Sequence, residues 1–597
     1  MPRPFHLLRV LYAWAARPFS LAILGSTALI AANAVPLSNG AAAPPPADPS
    51  QQMTAYRADR PKSVIDLQPF RTTQTAHLAD GRSVTLISLN PNVNSWFILQ
   101  IGPWDAGTAY HLQNPSPEGQ TITLAGGPDP QLALQLGTSA TKCAPWANAD
   151  QELTAARAGG LPFAPICEGH LFLRNPVEGN SSRLEQTASF VRNNVPGGEM
   201  IVGLVKNVFF KDAYRIVAPT VPSVSQAADS AAPAGPPPAQ SKHYAVHSEI
   251  ELRLVTHAPG EMALGRWYQL ADIPDIYASA LQPGVIDPTI LNGPGVTRPL
   301  DRIESGSMDY FVAFDLSQFQ LGYAVGTANP GLGWSPRPPD GVTDPALPGP
   351  DGVGNLAPVV PLGMLNPVLA PRVVATFAAG FKRRHGAFKS GPLSRVNHGS
   401  HYGFIQQGVI LSKLQPGLAT LYVLDDGSIH MKTWAATDDA MLPKIRFARQ
   451  NGVPLLESNP AGGPGIPGAL VASGEDGNWS GSANNRLRTL RAGACMIDQD
   501  SKKYLVYGFF STATPSAMAR TFEAYGCRYA MLLDMNALEH TYLAIYDRST
   551  GQRQIEHLMP GMAAVDRKDS QGRTLARFVD YPDNRDFFYM VPRTPRK

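Results

Sequence analysis

At 597 residues the chain is long enough for about two to four domains, and its 54 Gly and 56 Pro favour short strands and long connections over helical bundles. A net charge of only +3 gives no nucleic-acid footprint. Whatever the chain binds must be recognised locally.

The N-terminus combines a basic start, "MPRPFHLLR", with the apolar run "FSLAILGSTALIAANAV" and an A-x-A pattern at Ala32-Asn33-Ala34. That is the pattern of an export signal cleaved near Ala34, or of a retained anchor over residues 1–34. Either reading puts the remainder outside the cytoplasm and confines membrane contact to this segment. Residues 35–63 read as a disordered linker, too poor in large apolar residues to pack.

From 64 to 260 the pattern is of short strands, "SVTLISL", "SWFILQI", "QTITLAGG", "HLFLRN" and "MIVGLVKNVFF". In "SEIELRLV", Ile250, Leu252 and Leu254 alternate with charged residues, as in a half-buried strand. These imply a β-rich sandwich or barrel domain, interrupted by a disordered insertion at 219–242. Residues 261–304 read as a bridging segment. A second domain of mixed α/β character follows over 305–575, with 576–597 as a tail, so the predicted fold class is α+β. Within it, "ATLYVLDDGSIHMKTW" predicts a hairpin turning at Asp426-Gly427. "TPSAMARTFEAYG" predicts a helix capped by Thr514, begun by Pro515 and stopped by Gly526. It leads into the strand "YAMLLD", which ends at Asp534.

Four cysteines, Cys143, Cys167, Cys495 and Cys527, suit an oxidising compartment, and pairing within each half of the chain is the simplest of three connectivities. Neither pair has the spacing of a zinc site. No nucleophile elbow and no P-loop is present.

The order of these segments in the second half resembles the phosphodiester glycosidase family, over about residues 300–575. The resemblance rests on "FVAFDLSQFQL", "VVATFAAGF", "GVILSK" with "ATLYVLDDGSIHM", "LRAGACMIDQD" and "SAMARTFEAYGCRYAMLLD". It implies a fold with a sugar-phosphodiester hydrolase site, and places Arg491 on the family's arginine. The family's Asn-Gly-Gly-Phe is Ala378, Ala379, Gly380 and Phe381 here, and the Gly-Gly-Gly-Ser after the matching Asp534 is Met535, Asn536, Ala537 and Leu538.

Hydrolysis at such a centre needs a carboxylate to steady positive charge at the anomeric carbon or to activate water, and cations to hold the anion. Asp534 is the candidate carboxylate, with Glu539 and His540 as assisting acid or base. Arg491 and the basic run Lys382, Arg383, Arg384, His385 and Lys389 are candidates for binding the anion, with Gly380, Phe381 and Asn536 on the same rim. By local pattern alone, "LLDMNALEHTYLAIY" reads as the polar tip of a β-hairpin. His398 and His401 are pocket-rim candidates. A metal site from Asp534, Glu539 and His540 is a third reading, and no cofactor or metal is assigned. The sequence thus predicts an exported glycan-active hydrolase acting on a sugar linked to phosphate or another anion. The alternative is a non-catalytic glycan-binding or envelope-structural protein on the same fold. Oligomeric state is left open.

Overall fold

The computed structural model describes residues 53–54, 56, 61–182, 185–187, 190–191, 211–221, 228–232, 234–400, 403–473, 485–499 and 501–593. The side chains of Arg384 and His385 are not among what is described, nor are the export signal, "MIVGLVKNVFF" and His401. The fold is β-rich α+β. Among the described residues no helix is long and apolar enough to cross a membrane.

The N-terminal part is a sandwich. A six-stranded antiparallel sheet includes Thr72–His77, Ser83–Ser88, Trp96–Ile101, Thr108–Gln113, Leu171–Arg174 and Phe163–Ile166. One face, with Val84, Leu86, Phe97 and Leu99, packs on Ile122, Leu132 and Leu134 of a three-stranded sheet and on Leu153 of the helix Ala147–Ala158. The opposite face, with Ile87, Trp96 and Ile98, joins the main core, which runs continuously from Val64 to Val591. Alternating side chains along each strand therefore serve two cores.

The main core is built on an eight-stranded sheet and two five-stranded ones. The eight-stranded sheet holds the long hairpin Thr489–Gln499 and Lys502–Ala513, flanked by Asp309–Asp315 on one side and Tyr529–Met535 on the other. The helix Pro515–Ala524 has Pro515 in its first turn, and the Thr514 hydroxyl accepts from Ala517 N–H. The Asp426-Gly427 hairpin pairs Ala419–Leu424 with Ile429–Thr433, with Gly427 at φ 77°. Each disulfide joins cysteines of the same half of the chain, Cys143–Cys167 in the first and Cys495–Cys527 in the second.

Several expectations are corrected. The segment 261–304 is no bridge, because Trp267–Gln269 and Ile276–Leu281 are strands of the eight-stranded sheet. Nor is 576–597 a tail: its apolar run Phe587–Pro592 sits between Phe319–Ala324 and Ala375–Ala378 in a five-stranded sheet. The described part of 219–242 is packed rather than disordered. Thr220–Val221 pairs with Ala245–His247, Ala239 is buried, and Pro237 O accepts from the Trp267 indole at 2.9 Å. In the expected linker, Tyr56 is buried in a satellite cluster with Trp434 and Ile445.

"SEIELRLV" keeps its alternation of exposure but forms no regular strand. Only Leu254 makes a bridge, to Leu270, and neighbouring backbone groups bond irregularly to Leu558 and Gln269. The hairpin reading of "LLDMNALEHTYLAIY" fails as well. Tyr529–Met535 belongs to the eight-stranded sheet, whereas Leu543–Asp547 pairs with Ala375–Ala378 and Gln554–His557 in a five-stranded one. The intervening loop is a buried crossover between sheets, so its polar residues must find partners inside the protein.

Candidate functional site

The crossover begins at Asp534, the penultimate residue of its strand, which is 3 % exposed. Its Oδ1 accepts from Met535 N–H at 2.8 Å, and its Oδ2 pairs with Arg585 Nη1. Asn536 follows with φ 81°, a left-handed backbone that Asn tolerates better than most side chains. Asn536 N–H donates to Leu490 O at 2.8 Å, and its Oδ1 accepts from Thr489 Oγ1 at 3.2 Å. Asn536 thus holds a conformation that glycine would favour.

Arg585 is the centre of the arrangement. Its Nη1 holds Asp534, and its Nη2 lies 3.0 Å from Glu185 Oε1 and 2.8 Å from His540 Nε2. Lys382 Nζ reaches the same Glu185 oxygen at 2.7 Å. Glu539 Oε1 accepts from Ser182 Oγ at 2.7 Å and lies 3.4 Å from His540 Nε2. Arg577 backs the group, holding Asp583 at 2.8 and 3.0 Å and donating to Glu539 O.

Hydrogen bonds orient His540. Its Nδ1 is 2.8 Å from Met535 O, and a carbonyl can only accept, so Nδ1 carries a proton. Its Nε2 stands between Arg585 Nη2 at 2.8 Å and Glu539 Oε1 at 3.4 Å: unprotonated it accepts from the guanidinium, protonated it donates to the carboxylate.

Burial alone would raise the Glu185 carboxyl, but the charges of Arg585, Lys382 and His540 outweigh it and hold the group far below its ordinary range. Glu539 is likewise lowered to about 2, burial being overcome by His540, Ser182 and Arg585. Burial and the neighbouring Arg585 charge lower the Lys382 ammonium, although Glu185 opposes them.

The "AAGF" motif is tied to this centre through a second layer. Phe381 N–H donates to Asn451 Oδ1 at 3.3 Å, and Asn451 Nδ2 donates to Leu532 O and Leu533 O at 2.6 and 2.7 Å, immediately before Asp534. Arg449, fully buried, pairs with Asp586 at 2.5 Å and donates to Phe381 O at 2.8 Å. A Cβ on Gly380 would come within 2.7 Å of Arg449 Nη2, so the close approach of that arginine requires glycine. Lys382, next in sequence, is thereby aimed at Glu185.

The structure thus brings together Asp534, Glu539, His540 and Lys382 among the residues singled out by sequence, with Gly380, Phe381 and Asn536 beside them. The others lie elsewhere or are engaged differently. Arg383 is 3 % exposed, pairs with Asp351 and donates to Ser400 Oγ at 2.9 Å. Lys389 is exposed, and His398 is exposed beside Trp334. Arg491 is fully buried and donates to Ala513 O at 2.8 Å and Leu487 O at 3.0 Å, with Met535 Sδ at 3.5 Å. Burial pushes its guanidinium down to about 9.

Sequence reading missed Arg585 and Glu185. Arg585 sits in "DNRD" (583–586), whose Asp583, Arg585 and Asp586 all enter buried ion pairs. The apolar run "FFYMV" directly after it was the available signal, since a strand there makes the charged residues before it interior. Glu185 carried no signal of its own.

Ligand atoms of Glu185, Glu539 and His540 lie within 4.8 Å of one another, a spacing compatible with a metal. The space is taken, however. Arg585 Nη2 contacts both Glu185 and His540, and Lys382 contacts Glu185, so an added cation would have to displace one of them. The donor set suits a guanidinium better than a metal.

No family model matches the chain, and none of the curated proteins does. Among solved structures, it is similar to the catalytic domain of zebrafish N-acetylglucosamine-1-phosphodiester α-N-acetylglucosaminidase, auto-inhibited by its pro-peptide. That match has 11 % identity and a TM-score of 0.25, covering 54 % of this chain and 85 % of the other. A hypothetical protein from Synechocystis matches at 12 % identity and a TM-score of 0.22, covering 87 % of this chain and 99 % of the other. These are weak likenesses at the level of fold.

Proposed function

We propose that the protein is an exported glycan-active hydrolase that cleaves a sugar linked to phosphate or another anionic group. One observation carries this reading: Asp534, Glu185 and His540 converge on a single guanidinium, with Lys382 on Glu185 and Glu539 beside His540. Two disulfides are in keeping with export. In this reading Lys382 and Arg585 hold the anionic group, and the Arg585 Nε–H, buried without an acceptor, has a donor to spare. Asp534 steadies positive charge at the anomeric carbon. A departing phosphate monoester needs little general-acid help. His540 Nε2, once Arg585 turns to the anion, is free to take the proton of the attacking water. Arg491 acts from further off, by fixing the strand start beside Met535.

A second reading has its own support. The carboxylates and cations of the cluster already pair with one another, as in a structural network, which fits a non-catalytic glycan-binding or envelope-structural protein. Hydrolysis of a panel of glycosyl phosphodiesters and plain glycosides by the purified protein, beside Asp534→Asn, separates the two. Turnover lost in the variant at unchanged stability supports the enzyme. No turnover on any substrate, with glycan binding unaffected by the substitution, overturns it.

A further inference from the structure

Seven arginines are buried among the described residues: Arg174, Arg383, Arg449, Arg491, Arg520, Arg577 and Arg585. Five pair with carboxylates, namely Arg383 with Asp351, Arg449 with Asp586, Arg520 with Glu523, Arg577 with Asp583, and Arg585 with Asp534 and Glu185. Arg491 has backbone acceptors and feels the Glu304 charge. Arg174 differs. It lies on the sandwich sheet and is 4 % exposed, and its acceptors are all neutral. Its Nε and Nη2 reach Val360 O at 3.1 and 2.9 Å, and its Nη1 reaches Gln113 Oε1.

Two buried donors without acceptors lie beside it. Val360 N–H donates to His111 Nδ1 at 2.9 Å, and burial together with the Arg174 charge pushes the imidazole well below its ordinary pKa. His111 is therefore neutral with its proton on Nε2, and that N–H meets no acceptor. The Trp96 indole N–H, which can only donate, meets none either. The Trp96 and His111 ring centroids are 4.7 Å apart, and Arg174 Cζ lies 4.5 Å from the Trp96 centroid. Strand register puts these groups on one face: Trp96 is opposite Gln113, Gln113 is opposite Phe172, and His111 and Arg174 are each two residues along.

A buried cation with no counter-charge beside two unspent N–H donors is costly as it stands. The Trp96 and Phe163 ring faces offset part of the charge, but they accept neither N–H in the usual sense. We propose that Arg174, His111 Nε2–H and Trp96 Nε1–H bind a small monovalent anion of the halide class, at the seam between the N-terminal sheet and the loop at Val360. One negative charge matches the one uncompensated guanidinium. A divalent anion would cost far more to desolvate, since that cost rises with the square of the charge. The site is separate from the Asp534 cluster and serves to lock the sandwich onto the main core.

The test uses the full chain. Thermal unfolding is followed in sodium chloride or bromide and, at equal ionic strength, in sodium gluconate, and crystals grown in bromide are examined for anomalous scattering. The expected result is a midpoint that rises with halide and not with gluconate, and an anomalous peak in hydrogen-bond reach of Arg174 and His111 Nε2. His111→Phe should abolish the halide-dependent rise. An ordered water there without anomalous signal, or equal responses to halide and gluconate, overturns the proposal, and the crystallographic arm holds even if the variant does not fold.

Discussion

Replacing Arg585 by Met keeps much of the side-chain volume and removes the charge that two buried carboxylates share. Glu185 would keep Lys382 at 2.7 Å, so the loss falls mainly on Asp534. Asp534 is 3 % exposed and would retain only the Met535 N–H. Breaking a buried ion pair from one side costs about 3–5 kcal/mol, because the remaining charge stays in a poorly solvating place. That is a large part of the ~5–15 kcal/mol by which a typical protein is stable. Adding Asp534→Asn removes the stranded charge, so the double variant should recover most of the loss. Urea denaturation of the four proteins at about pH 7.5 measures the loss and the recovery. A loss under ~1 kcal/mol for Arg585→Met, or no recovery in the double variant, would refute the claim that Arg585 is the electrostatic centre of the cluster.

Three further outcomes follow from the same structure. Asp309 is fully buried, with Oδ1 on Ser511 N–H and Oδ2 without a partner, and burial raises its pKa well above the ordinary value. A raised folded pKa gives stability that is complete below the unfolded pKa and lost as pH rises toward the folded one, at ~1.4 kcal/mol per pH unit. Asp309→Asn should flatten this slope and leave the protein more stable at neutral pH, as denaturation across pH would read; an unchanged slope contradicts it. Glu539, lowered to about 2, contributes in the opposite sense: its stabilisation is present above the ordinary glutamate pKa and is lost as pH falls from there toward about 2. Glu539→Gln should therefore cost roughly 2–3 kcal/mol at neutral pH and little in strong acid, by the same denaturation assay. Replacing Cys495 and Cys527 by Ala opens a cross-link of sequence separation 32 and should lower stability by ~3–4 kcal/mol in calorimetry.

Legibility in the sequence followed how local the determining signal was. The helix at 515–524, the Asp426-Gly427 hairpin and the disulfide pairing each depend on a cap, a turn residue or a spacing, and each was read correctly. "SEIELRLV" shows where period alone falls short. The alternation predicted which side chains are exposed, but a ladder needs a neighbour in register, and Arg253 instead grips Asp272, Asp547 and Glu556. At the candidate site, Asp534, Glu539, His540 and Lys382 were accessible because they lie in or beside apolar strands. Arg585 was assigned to a tail and Glu185 to the body of another domain. Their roles arise from contacts 51 and 400 residues apart in sequence, which no window of neighbouring residues encodes.

The position of Phe587–Pro592 bears on the order of folding. Among the described residues this strand is the hydrogen-bonded link between Phe319–Ala324 and the rest of its sheet. Until it is available, that sheet is in two pieces, each with an edge waiting for the same partner, and Arg585 just before it has not yet reached Asp534. The site and the sheet therefore wait on the same segment, whose pairings reach far back in the sequence.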